Sequence, residues 1–436
     1  AATTIDTNAT NTTGDVTIGA VTGNNNNLTL DTINSTGSAS HTFNGNVNLG
    51  SGALSVTGDV VLGANVTVTA KPGSGTGIAF AHAINADNAT NNDRTLTLDA
   101  GTASNVFVVG SVGNSQPLAG LTVTQSNGIG FFSPVDVTDS NSGTITLTDT
   151  QDNILIIFTD VVADNFVTAA QGYNLRLLGN TTIANAVTFQ NTGTLELGDA
   201  TSDTFTFNGG VTENTGGTVT IDGAIVSSND AISFGNINLG QNLSMTSAGG
   251  AISIGTITAA SGSQDISITS SGGSANTVAV GAIGGSGNIN TVAITGSTSV
   301  TLNGNITTDN SSGNSVTVTG TAINTGAITI DTNNTSNDGA ITFDGAIAGG
   351  NNNLALDSGG ANISANGAIA SVGTLTLTSA ANATLSGDVD VSTLSVDNNV
   401  GNLTFTGNGS SITNAFAPNN TGTLTLGTSG GTQTFN

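Results

Sequence analysis

Asp388 and Asp390 stand two residues apart, a spacing that places two carboxylates on one face of a strand. Paired carboxylates are what acid–base cleavage of a glycosidic bond requires, usually with help from a cation or a metal. Asp136 and Asp139, three residues apart, are a second candidate. Of the 28 acidic residues only Glu196 and Glu213 are glutamates, and the aspartates are scattered through turn-like segments, where they read as solvated residues. A calcium-binding repeat would need Gly-Gly-x-Gly-x-Asp. The nearest match, Gly284-Gly285-Ser286-Gly287-Asn288-Ile289, has Ile where the ligand belongs. Loosely held divalent cations such as calcium, drawn by net charge, are the most this chain is expected to bind, and no cofactor is expected. His41 and His82 lie far apart and have no cysteine partner, so they form neither a metal pair nor a nucleophilic triad, and each is expected on the surface or in a loop. Thr-x-Thr units at Thr95/Thr97, Thr144/Thr146, Thr374/Thr376 and Thr423/Thr425 would turn hydroxyls outward. Flat arrays of that kind can meet ice or a crystalline polysaccharide, but their irregular spacing favours plain solubility and β propensity. The expectation is a protein that is not an enzyme. A carbohydrate-active β-helix enzyme is the last-placed alternative.

Composition sets the outer limits. The chain has 436 residues, a net charge of −25, and only Lys71, Arg94 and Arg176 as cations. It cannot neutralise a phosphate backbone, so nucleic acid is excluded as a partner. With no cysteine there are no disulfides or thiolate sites. The longest apolar run, Ile154 to Phe158, is far short of the roughly 18 residues that span a bilayer, so no membrane span is expected. The first residues show no basic region followed by an apolar run, so no signal peptide is expected. Scarce lysine with abundant Asn, Thr, Ser and Gly points to an extracellular or cell-surface location, where few trypsin-type cleavage points would be an advantage.

The elements that would position any site are short strands. Apolar-polar-apolar units occur at Leu195/Leu197, Phe205/Phe207, Val219/Ile221, Ile232/Phe234, Leu243/Met245, Ile252/Ile254, Ile266/Ile268 and Val278/Val280. The mean interval is about 12 residues, with the period of a half-buried strand. Gly, Asn, Asp and Ser fill the gaps, and no segment shows a helical period with caps. Residues 183–198 align without a gap on 412–427, and Gly-Ala-Ile recurs at 223, 250, 281, 326, 339, 345 and 367. β-Sandwiches are disfavoured by four prolines, no Trp and a single Tyr.

The expected fold is therefore all-β: a right-handed parallel β-helix, or β-solenoid, of about 20 coils in one elongated rod, with about 22 residues per coil. Residues 1–70 and 171–436 read as regular coils. Residues 71–170 read as a less regular segment with room for a looped-out module. There the runs Phe131-Phe132 and Ile154-to-Phe158 would leave Phe131, Phe132, Ile154, Ile156 and Phe158 as a contact surface beneath a loop or against another chain.

Thr42-Phe43-Asn44-Gly45, Thr206-Phe207-Asn208-Gly209, Thr342-Phe343-Asp344-Gly345 and Thr434-Phe435-Asn436 recur through the chain. With Leu96-Thr97-Leu98-Asp99-Ala100-Gly101 and Pro117-Leu118-Ala119-Gly120-Leu121-Thr122-Val123, they resemble the passenger regions of bacterial large exoproteins, including filamentous-haemagglutinin-type adhesins and autotransporters. The resemblance implies a secreted, surface-exposed β-helix used in adhesion, biofilm or filament building. The secretion domain and membrane barrel of that family are missing. Phe43, Phe207, Phe343 and Phe435 are expected to fill the core, and Asn44, Asn208, Asp344 and Asn436 to form turn ladders. Both ends look uncapped, so expected partners are a continuing chain or copies of itself end to end, and host or biofilm glycans. The functional expectation is an extracellular structural or adhesive rod. The first alternative is a self-assembling subunit of a filament or sheath.

Overall fold

The computed structural model describes residues 2–7, 14–34, 37–87, 94–138, 142–149, 151–260, 263–273, 275–285, 289–308, 313–333, 338–427 and 431–435. Among them every regular element is a β-strand, and apart from the short antiparallel pair Ile33–Asn34 and Gly37–Ser38 the strands stack in parallel as a β-solenoid of about 17 turns. The chain divides into two compact units, Ala1–Thr220 and Ile221–Asn436.

In the first unit each turn adds a strand to each of three parallel sheets. The first sheet runs from Thr3–Asp6 through Leu28–Asp31 and Leu54–Thr57 to Asn174–Leu177 and Leu195–Leu197. The second runs from Val16–Ile18 through Ser40–Phe43 and Asp59–Leu62 to Thr204–Phe207. The third runs from Val21–Thr22 through Val47–Gly50 and Val66–Ala70 to Val211–Glu213. The second unit repeats the plan. Its strands are longer because some bend round the corners without leaving the ladder. Ile369–Leu385 makes most of a turn in one strand and pairs along much of its length with Val389–Phe405.

Alternation explains why these residues are strands. Thr95–Asp99 reads Thr-Leu-Thr-Leu-Asp, with both leucines buried and the polar residues half-exposed. One strand with a single apolar face is unstable alone, and stacking builds the core that covers it. On the first sheet Phe80, Val108, Phe131, Phe158, Leu177 and Leu197 occupy successive rungs, all buried. Aromatic rings continue the column sideways. Phe158, Phe166, Phe189 and Phe207 lie 5.9, 6.1 and 6.0 Å apart between ring centroids. The Gly-Ala-Ile units place their isoleucines inward, as at Ile252, Ile283 and Ile347.

The corners carry a second regularity. The side-chain oxygen of an Asn at the mouth of a strand accepts the backbone N–H of the residue one turn later. Asn27 takes Ala53 at 2.9 Å, Asn65 takes Thr95 at 3.0 Å, Asn180 takes Thr204 at 3.1 Å and Asn305 takes Thr329 at 2.9 Å. The amide stands in for a carbonyl where the main chain turns away, so a backbone donor is not orphaned. Asn402 does this for Thr423 at 2.9 Å and also donates to Asn382, which donates to Asn362, both at 2.8 Å. Asn402→Ala removes both bonds, and a loss of about 1 kcal/mol is expected from urea unfolding of the chain. Asn402→Asp, which keeps the acceptor for Thr423, should recover part of that loss.

The number of turns differs from the expectation. The turns number about 17 rather than 20, because corner insertions lengthen some of them. Ile78 pairs with Val106, a step of 28 residues, whereas Ile156 pairs with Leu175, a step of 19. The described strands of 71–170 join the same three ladders as their neighbours.

Candidate functional surface

Asp388 and Asp390 both face outward, as solvated residues would, and Asp388 accepts the Gly409 N–H at 2.8 Å. Asp136 is half-buried and takes the Thr138 hydroxyl at 2.6 Å, whereas Asp139 lies outside the described residues. Ser286, Gly287 and Asn288 of the near-match to a calcium repeat also lie outside them. No group of three or more His, Cys, Asp or Glu able to hold a metal occurs among the described residues. Asp149 is wholly buried, but its carboxylate accepts the Ser126 N–H at 2.6 Å, the Ser126 hydroxyl at 2.8 Å and the Gln151 N–H at 3.1 Å. Tyr173 is buried against the same turn. Its hydroxyl accepts the Ala169 N–H at 3.1 Å, and burial pushes its pKa well above the ordinary 10.0. These two groups tie turns together.

Phe43, Phe207 and Phe343 are fully buried, and Phe435 is half-buried with its ring stacked 5.3 Å from Phe416. Asn44, Asn208 and Asp344 are exposed. Asp344 does form a ladder, accepting the Asn366 amide at 2.6 Å. Asn436 lies outside the described residues.

His41 is neither on the surface nor in a loop. It is buried in the second sheet between Val16 and Val60. Its Nε2 lies 3.3 Å from the Thr32 hydroxyl, which also reaches the Ala39 carbonyl at 3.1 Å, while Nδ1 has no partner. Burial lowers its pKa from 6.5, and the nearby Asp31 and Asp15 carboxylates offset only part of that. Well above pH 6.5 the ring is neutral in both folded and unfolded chains. As pH falls below that value the unfolded ring protonates first, so stability is lost on acidification until the folded ring titrates too. Melting points of the chain and of His41→Val between pH 5 and 7.5 should diverge, with the wild type falling more steeply.

The outward faces carry rows. On the third sheet Thr67, Thr97, Thr122, Thr146, Val167, Thr188 and Thr212 occupy one rung after another. In the second unit Thr317, Thr342, Ser364, Thr384, Thr404 and Thr425 do the same. Spacing that is irregular in sequence becomes regular in space, because each corner absorbs its own insertion.

The contact surface foreseen in 71–170 is corrected in its parity. Phe131, Ile156 and Phe158 are fully buried and Ile154 nearly so, with Phe131 and Phe158 stacked 4.6 Å apart. Only Phe132 of that set is exposed, at 46%. The outward members are residues that sequence reasoning missed: Phe107 at 37% exposure, with half-buried Leu155 and Ile157. The rings of Phe107 and Phe132 lie 6.3 Å apart and 18° from parallel. They border a trough of about 200 Å³ floored by Ile129 and Gly130. The signal available in sequence was the glycine between Ile129 and Phe131, which breaks an otherwise bulky outward row.

Comparison with protein-family models, with curated proteins and with solved structures finds no match. The exoprotein relationship therefore rests on the sequence resemblance alone.

Proposed function

We propose that the chain is an extracellular structural and adhesive element, a β-solenoid segment of a bacterial surface or matrix protein that acts through its repeated outer faces. The in-register hydroxyl rows carry this reading. A stacked core makes each sheet a stiff, flat, weakly charged surface, and a small side chain, threonine at most rungs, recurs at about 4.8 Å. Such a surface offers many equivalent weak contacts, and multivalency turns these into firm attachment. The corner amides support the reading, because they satisfy the main chain at the turns and leave the faces free for a partner. Display of the chain on a non-adherent bacterial cell tests it. A several-fold gain in cells retained on polysaccharide-coated glass under flow is expected. Retention equal to that of cells displaying an unrelated soluble domain would overturn it.

A further inference from the structure

We propose that the outer face around Phe107 and Phe132 is a binding subsite for a neutral polysaccharide chain, an inference that rests on the surface-contact reading above. Among the described residues these two are the only exposed aromatic side chains in the set of large exposed apolar residues. Their rings lie nearly parallel, 18° apart, and form two platforms along the stacking direction of the turns. Gly130 makes this possible. A methyl group there would lie 2.3 Å from Phe132 Cζ, so only glycine lets the Phe132 ring settle across the strand. Asn105 lines the same trough and accepts the Asn127 amide at 3.1 Å, which sets a row of amides beside the rings. A pyranose presents an apolar C–H face with hydroxyls around its rim. The former packs on an aromatic face and the latter exchange hydrogen bonds with amides.

Size and charge select this occupant over others. The trough is a few side chains wide, far below the roughly 800 Å² per partner that a stable protein interface buries, so neither a second copy nor a folded partner fits it. The nearest cation, Arg176, stands on the rung after Ile157 and is paired with Glu196. With a net charge of −25 around it, the patch offers nothing to an anionic ligand.

Titration calorimetry with cellohexaose, chitohexaose and mannohexaose tests the subsite on the full chain and on Phe132→Ala, Phe107→Ala, Gly130→Ala and Val162→Ala. Circular dichroism verifies that each variant is folded. At least one sugar should bind the wild type. Loss of either ring should weaken binding about tenfold or more. Gly130→Ala should weaken it by displacing the Phe132 ring, and Val162→Ala, which alters an exposed valine on the second sheet, should leave it unchanged. Failure of all three sugars to bind, or binding indifferent to Phe132→Ala, overturns the proposal. So does retention on octyl-agarose that depends on Phe132 without any sugar binding, which would mark a generic apolar contact. A chain that promotes adhesion yet binds none of the sugars loses the subsite and keeps the broader function.

Discussion

Phe158→Ala is expected to destabilise the Ala1–Thr220 unit by about 3–5 kcal/mol. The side chain is fully buried, its ring stacks on Phe131 at 4.6 Å, and its edge meets Phe166 at 5.9 Å. The walls of the resulting hole are ladder strands, Ile129–Phe131 on one side and Asn174–Leu177 on the other. Their separation is set by hydrogen bonds, so the cavity cannot close by backbone movement and most of its cost persists. In a stacked repeat each turn is stabilised chiefly by its neighbours, so the loss should appear first as local opening of the flanking turns. Urea unfolding gives the magnitude, and hydrogen exchange at the Phe131 and Leu177 amides gives the location. Phe132→Ala, one residue from Phe131 but exposed, should cost no more than about 0.5 kcal/mol. Equal losses for the two substitutions would invert the parity assigned to this strand.

Gly113→Ala should cost about 2–4 kcal/mol, combining left-handed strain with overpacking. Gly113 has φ of +75°, and a methyl group there would lie 2.0 Å from the Asp136 carbonyl oxygen on the next turn. That neighbour cannot easily recede. Val112 bridges Ile84 and Val135, the Asp136 N–H is bonded to Val112 O at 2.7 Å, and the Gly113 N–H is bonded to Ile84 O at 2.7 Å. Gly73 separates the two contributions. Its φ is +85° but nothing lies within 4 Å of the added methyl, so Gly73→Ala carries the strain alone, about 1 kcal/mol. Thermal melts of the two variants should differ by a factor of two or more in the drop of the midpoint.

Where polar and apolar residues alternate, the burial pattern was legible in advance. Thr95–Asp99 and Leu195–Leu197 take the faces their sequences dictate, and Phe43, Phe207 and Phe343 enter the core as their repeats imply. Asn-x-Thr was legible only in part. In Asn27-Leu28-Thr29 the Asn27 side chain accepts the Ala53 N–H, Leu28 points inward and Thr29 is half-exposed. The pattern is the signature of a corner followed by a strand. His41 was misplaced because a polar residue flanked by Ser40 and Thr42 reads as solvent-facing until Val16 and Val60 are known to lie on either side of it.

The amino-acid sequence alone determined that this chain forms short strands, that Asn and Gly turn it, and that the strands must stack to cover their apolar faces, because each of these follows from the local order of side chains. Only the tertiary structure decided which face of the all-apolar run Ile154–Phe158 is buried and which residues become neighbours across turns. Steps between rungs range from 19 to 30 residues, so lateral neighbours depend on the summed length of every corner between them. Phe107 meets Phe132, and Thr97 meets Thr122, through that accumulated register and through nothing in their own surroundings in the chain.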